Sequence, residues 1–240
     1  MTEPTLRYEV AAANRAIAAH GLVTLSFGNV SGVDREAGTL LIKPSGLACA
    51  EIGPDDLVEV ALDDGRVVAG NRRPSSDTPT HRHLYREFPS IGGVVHTHST
   101  SAAAWAQAGR PIPALGTTHA DYFRGPVLVS RQLRRDEIEG DYELATGAVI
   151  AETIRSHDRS ADDSPAVLVR AHGPFAWGAT PAVAVENAIA LEQIATIAWR
   201  TLGIDPSAPA ISDELLRRHF DRKHGEGAYY GQPSSAEVRR

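Results

Sequence analysis

His96 and His98 offer the first candidate chemistry. They stand two residues apart in an apolar, β-branched run, 92–98, that reads as a buried strand. Alternate side chains of a strand share a face, so both imidazoles can converge on one ion. His81 and His83 have the same spacing but fall where the sequence reads as a helix. Residues two apart there point to nearly opposite sides, so that pair is rejected as a chelate. His172 follows the apolar run 167–169 and precedes Gly173-Pro174, at the end of a core strand, and is the best third ligand. Three neutral imidazoles with one carboxylate or water suit a catalytic zinc that keeps an accessible position, with Mn²⁺ or Co²⁺ as substitutes. Asp77, in the turn before a helix, is the candidate carboxylate, although an ordinary helix N-cap explains an aspartate there at least as well. A lone His-x-His likewise fits one hydrogen-bonded core histidine beside a surface one.

A second kind of chemistry is anion capture. Ser75 and Ser76 precede a helix start, where free backbone N–H groups and the positive end of the dipole attract phosphate. Lys43-Pro44-Ser45-Gly46 and Phe27-Gly28-Asn29-Val30-Ser31 are similar donor-rich turns, with Lys43 as a counter-charge. Each also reads as a β-turn whose Gly and Ser supply unusual backbone angles.

The elements that must hold these groups alternate between sheet and helix. Residues 7–19 are alanine-rich, lack internal Gly or Pro and stop at His20-Gly21, the mark of a helix with a glycine C-cap. Short apolar runs at 22–26, 39–42 and 57–62 read as strands separated by turns. Pro79 opens a helix to about Phe88, the run 92–98 is a strand, and residues 100–108 form a helix. Residues 136–156 read as helical despite Gly140 and Gly147, 167–169 as a strand, and 181–202 as a long helix with Pro181 in its first turn. Only 160–165 and the tail after Gln232 have a loop-like composition.

With 240 residues, 42% hydrophobic and 22% charged, the chain suits one packed enzyme-sized domain. The net charge of −6 argues against a nucleic-acid partner. Cys49 is the lone cysteine, so no intrachain disulfide can form, and the chain shows neither a leader-like N-terminus nor a membrane-spanning run. Cytoplasm is the expected compartment.

The stretches LVTLSFGNVS, IKPSG, PSSDTPTH, FPSIGGVVHTHS, GTTHADYF, HGPFAWG and RKHGEGAYYGQ together resemble the bacterial L-ribulose-5-phosphate 4-epimerases of the class II aldolase superfamily, over residues 6–232. The resemblance implies an α/β fold with a central, mainly antiparallel sheet flanked by helices. It also implies one domain over 1–232 with 233–240 as a tail, and a fourfold-symmetric homotetramer with its sites near subunit interfaces. It gives His96, His98 and His172 as zinc ligands and Asp77 as the carboxylate of the site. Gly28, Asn29, Ser45, Gly46, Ser75 and Ser76 match the substrate-binding positions, to which Lys43 and His219 are added. Asp121 and Tyr230 match the two proton-transferring residues. L-Arabinose and L-ascorbate breakdown both supply the substrate of such enzymes.

Two rivals remain. A class II aldolase of the L-fuculose-1-phosphate type shares the histidine pattern but places Glu where this chain has Asp77. A non-catalytic interaction domain of the same superfamily would have lost the metal ligands, whereas all three histidines stand here.

Overall fold

The computed structural model describes residues 5–225 and residue 228; Tyr230 and the segment 233–240 lie outside the described residues. In chain order the elements are α1 (Leu6–Ala19), β1 (Asn29–Asp34), β2 (Thr39–Ile42), β3 (Val58–Ala61), β4 (Val67–Ala69), α2 (Thr78–Glu87), β5 (Gly93–His96) and α3 (Thr100–Ala108). There follow α4 (Thr117–Ala120), β6 (Leu128–Val129), α5 (Arg135–Glu139), α6 (Tyr142–Ser156), β7 (Ala166–Val169), β8 (Gly173–Gly178), α7 (Pro181–Ile204) and α8 (Asp213–His224). The strands make one sheet in the order β4-β3-β2-β1-β5-β8-β7-β6, antiparallel at every junction except β6–β7. This is the expected central, mainly antiparallel sheet flanked by helices. Among the described residues no helix is long and apolar enough to cross a membrane.

Strand alternation splits the core into two layers. Val30, Val95, Leu168 and Ala176 face α1, α3 and α7, while Val94, Val167, Val169, Phe175 and Trp177 face α2 and α6. Fully burying such a side chain contributes about 1.5–3 kcal/mol. The start of α7 lies hard against β5: a Cβ on Gly93 would come 2.5 Å from the Pro181 Cα, so only glycine fits there. Thr180 caps α7 by accepting from the Val183 N–H at 3.2 Å.

Several expectations need correction. The run 22–26 is not a strand. Leu22 is buried in the core, but Leu25 adopts φ +57° and is exposed, so the stretch turns instead of extending, and β1 begins only at Asn29. The helix expected over 136–156 is two helices, broken at Gly140-Asp141. β5 ends at His96, which leaves His98 beyond its last residue. The segment 160–165, loop-like in composition, is packed: Ala161 is buried and its carbonyl accepts from the Trp177 indole N–H at 2.9 Å. Sequence patterning missed β8, buried along its whole length and therefore without alternation. It also missed β4, exposed throughout, and α8, in which Phe220 is the buried residue.

Candidate metal and anion site

Register builds the site. Asn29 of β1 pairs with His96 of β5, and His96 pairs with Phe175 of β8, so the three lie in one row on the face covered by α2. Phe175 stacks on the His96 ring, with centroids 4.1 Å apart. The β7–β8 turn brings His172 to the same end. Val169 pairs with Gly173 across that turn, and Ala171 takes the left-handed conformation at φ +61°, a strained position for a residue with a side chain.

The three histidines converge. Their ring centroids lie 4.9, 4.7 and 5.1 Å apart, nearly an equilateral triangle, with the rings inclined to one another by 65–75°. One nitrogen from each lies within 4.8 Å of the others, and His96 Nε2 and His98 Nε2 are 3.1 Å apart. The opposite nitrogens are held. His96 Nδ1 donates to the Pro174 carbonyl at 3.0 Å, and His172 Nδ1 lies 3.2 Å from Tyr142 Oη. An Nδ1–H engaged in this way leaves the Nε2 lone pair for an ion, the arrangement usual for metal-binding histidines. Burial holds His96 neutral, down at about 3, and also lowers His172. A divalent cation therefore fits this donor set.

Asp77 sits at the N-cap of α2, but its side chain makes no capping bond. Instead the Asn29 amide donates to its Oδ2 at 2.6 Å and to Ser75 Oγ at 3.1 Å. Burial pushes the Asp77 carboxyl up, yet the facing His96 and His81 rings and the Asn29 amide outweigh it, leaving the group below the ordinary aspartate value. Asp77 stands outside the close group of three histidines while lining the same cavity. His81, whose pairing with His83 was rejected, is buried beneath this site with its Nδ1 on Ser31 Oγ.

The donor-rich turns form the other end of that cavity. The Ser75 N–H donates to the Lys43 carbonyl at 3.0 Å and the Ser45 N–H to the Arg73 carbonyl at 2.9 Å, which stitches the two turns side by side. Lys43 is buried, its Nζ donating to the carbonyls of Ser26 and Pro44 at 3.2 and 3.3 Å, which leaves one of its three N–H donors for an anion. Burial lowers it from the ordinary lysine value, with Cys49 and Asp77 opposing. Gly28 closes the gap to β5: at φ +75°, with a Cβ position 2.8 Å from the His96 carbonyl, no other residue fits.

The resulting cavity has a volume of about 400 Å³. It gathers eleven of the expected site residues: Gly28, Asn29, Lys43, Ser45, Gly46, Ser75, Ser76, Asp77, His96, His98 and His172. Ser26, Phe27, Tyr142 and Glu143 complete its wall and were not singled out from the sequence. Tyr142 and Glu143 carry a helix-start signal only, and nothing local announces that this helix begins beside His172. Asp121 and His219 are not brought to this cavity within the chain. Asp121 accepts from His219 Nδ1 at 3.0 Å and from Arg222 Nη2 at 3.0 Å, in a cluster that ties α8 to the end of α4. The expected role of Tyr230 falls outside the described residues. A second cavity of about 350 Å³, beside Trp105 and Trp199, is mainly apolar and presents no metal-ligating group.

A mainly antiparallel sheet that carries three converging histidines beside a donor-rich floor is the architecture of a class II aldolase. Residues 8–199 match the family described as Class II Aldolase and Adducin N-terminal domain, and the chain belongs to that family. Among curated proteins it is 52% identical to the L-ribulose-5-phosphate 4-epimerase UlaF of Salmonella paratyphi B and to that of Salmonella typhi, in each case over 95% of this chain and 98% of the relative. An L-fuculose 1-phosphate aldolase shares the fold, with a TM-score of 0.76, 24% identity and coverage of 92% of this chain and 97% of the other. The L-fuculose-1-phosphate aldolase from Thermus thermophilus superposes with a TM-score of 0.63 at 26% identity, over 87% of this chain and 100% of that one.

Proposed function

We propose that the protein is a zinc-dependent L-ribulose-5-phosphate 4-epimerase, interconverting L-ribulose 5-phosphate and D-xylulose 5-phosphate. The observation that carries the reading is that one cavity joins three converging imidazoles to a floor of anion donors, in a chain 52% identical to proteins of that name. A sugar phosphate has both functions to match: a charged end for Lys43, Ser45 and Ser75, and a keto-hydroxyl end for the histidines.

The carbon to be inverted is not adjacent to the ketone, so its hydrogen is not acidic and inversion calls for cleavage of the C3–C4 bond. A base takes the C4 hydroxyl proton, the C3–C4 electron pair moves toward the C2 carbonyl, and glycolaldehyde phosphate and an enediolate result. Re-addition to the other face of the aldehyde, with return of the proton, gives the epimer. His96, His98 and His172 would hold the divalent ion, zinc or in its place Mn²⁺ or Co²⁺, which when bound supplies Lewis-acid stabilisation of the enediolate. Lys43 and the turns around Ser45 and Ser75 hold the phosphate, so the aldehyde fragment stays in the cavity while its carbonyl turns over. Asn29 fixes the Asp77 carboxylate beside the reacting end.

Asp121 and Tyr230 are the proton-transferring pair in this reading. The Asp121–His219–Arg222 cluster lies apart from the cavity of its own chain, in keeping with a homotetramer in which a neighbouring subunit supplies it. Residues 1–232 form the enzyme domain, 233–240 a tail, and the cytoplasm is the working compartment.

The test is to incubate metal-loaded protein with L-ribulose 5-phosphate and follow both D-xylulose 5-phosphate and free dihydroxyacetone. Rapid formation of the epimer supports the reading. Accumulation of dihydroxyacetone with little epimer identifies an aldolase instead, and no turnover by metal-loaded protein rejects this substrate.

A further inference from the structure

The steps above leave unused a chain of hydrogen bonds buried beneath the site. Ser31, His81 and Tyr85 are all fully buried. Tyr85 Oη lies 2.8 Å from Ser31 Oγ, which lies 2.7 Å from His81 Nδ1. Buried polar groups cost stability unless they are paired, and this chain pairs each member with the next. One end is open: His81 Nε2 is buried and makes no hydrogen bond among the described residues. Asn29 Oδ1 is likewise buried without a partner among them.

Periodicity places the residues that carry these ends on matching faces of α2 and β1. His81 lies four residues after Asp77, one helical turn on and on the same side. Asn29 lies two residues before Ser31 in β1, on the same face. Asn29 grips Asp77 Oδ2 and Ser31 grips His81, so neighbouring side chains of β1 hold the carboxylate and the imidazole on one side of α2, with His81 Nε2 making no hydrogen bond to either Asp77 or Asn29. Burial keeps the ring neutral, down at about 4, with the Asp77 charge as the opposing influence. The His81 ring lies at a steep angle to Phe175, with centroids 6.1 Å apart, and Phe175 stacks on His96.

We propose that His81 is a positioning residue for Asp77: the chain Tyr85–Ser31–His81 locks the imidazole with its Nε2–H facing the carboxylate and the Asn29 amide oxygen, and so fixes how the Asp77 oxygens present to the cavity. The proton order follows from this. The Tyr85 hydroxyl donates to Ser31 Oγ, the Ser31 hydroxyl donates to His81 Nδ1, and the ring proton resides on Nε2. The reverse tautomer would aim a lone pair at a carboxylate. A histidine that only filled space would have no need of the serine and tyrosine hydroxyls, and its loss would be felt equally whatever stood at position 77. The inference rests on the proposed function only in taking Asp77 as a working group of the cavity.

Two measurements test it. The first is a double-mutant cycle, because His81→Phe keeps a ring against Phe175 while deleting both nitrogens. With His81→Phe alone, kcat for L-ribulose 5-phosphate falls about tenfold, KM stays within twofold and metal content is unchanged; in an Asp77→Asn background the same substitution changes kcat less than twofold. An equal loss in both backgrounds overturns the proposal, as does an unchanged kcat. Ser31→Ala, a smaller perturbation that leaves the imidazole in place, shows the same coupling if His81→Phe fails to fold. The second needs no turnover: ¹⁵N–¹H spectra of the histidine rings show His81 protonated on Nε2, with a resonance that shifts in Asp77→Asn. Protonation on Nδ1, or a resonance indifferent to residue 77, contradicts the proposal. A wild-type protein that did not epimerise L-ribulose 5-phosphate would reject the proposed function and leave this second test in force.

Discussion

Tyr142 Oη lies 3.2 Å from His172 Nδ1, joining the first turn of α6 to the β7–β8 turn at the histidine cluster. His96 has a fixed backbone acceptor in Pro174, whereas His172 depends on this phenol to hold its ring. Removing the hydroxyl with Tyr142→Phe is expected to weaken divalent-metal affinity about tenfold, the usual size of such a loss. Competition titration with a chromophoric chelator reads this directly; unchanged affinity would show that His172 is oriented by packing alone.

Lys43 supplies the buried cation at the anion end of the cavity. Lys43→Met keeps the stem and removes the charge. KM for the sugar phosphate should rise at least tenfold, since a hydrogen bond between charged partners contributes about 1.5–3 kcal/mol, while kcat falls less. A loss confined to kcat would place Lys43 at the reacting end instead.

Asn14 fastens α1 to the strand that carries Asn29. Its amide donates to the carbonyls of Val10 and Val30 at 2.8 and 3.0 Å, and its Oδ1 accepts from the Val30 N–H at 2.9 Å, just before the β1–β2 ladder begins at Ser31. Asn14→Ala strands both backbone groups of Val30 in the core and should cost roughly 3 kcal/mol in urea unfolding. A loss under about 1 kcal/mol would mean that neighbouring groups take over those bonds.

Burial holds His81 and His119 at about 4, well below the ordinary 6.5. Both bind a proton more readily in the unfolded chain, so their contribution to stability is complete above pH 6.5 and is lost as pH falls toward 4. Each adds up to about 1.4 kcal/mol per pH unit within that window. Unfolding free energies of the metal-free protein between pH 6.5 and 5 should fall accordingly, with buried His96 adding in the same direction, and His119→Gln should lower the slope by no more than about a third. A flat profile would show that neither ring is held neutral.

Sheet and site differ in how far they can be read from sequence, for physical reasons. β2 and β5 were legible because short apolar runs bounded by turn residues have few other uses, and His96-x-His98 was legible because its first member closes β5 and the second still reaches the same cluster. The 22–26 run misled because apolar character alone does not reveal that Leu25 turns left-handed into solvent. α8 was hidden because it holds on through Asp121, Tyr122 and Glu186 rather than through an apolar face. Tyr142 escaped notice, and His81 was weighed only in the rejected pair with His83, because their partners, His172 and Ser31, are distant in the chain and no local pattern reports such a meeting. Asp77 was ambiguous as a cap until its side chain was seen to point away from the helix end, toward Asn29.

In the proposed function His96, His98 and His172 form the metal centre on which 4-epimerisation depends. This dependence is tested most directly by stripping the protein with a chelator, measuring epimerase turnover, then titrating zinc back while counting bound metal per chain. Turnover is expected to vanish on stripping and to return in proportion to one ion per chain, with His98→Asn neither binding the ion nor recovering. Full turnover in the stripped protein, or in His98→Asn, would contradict it.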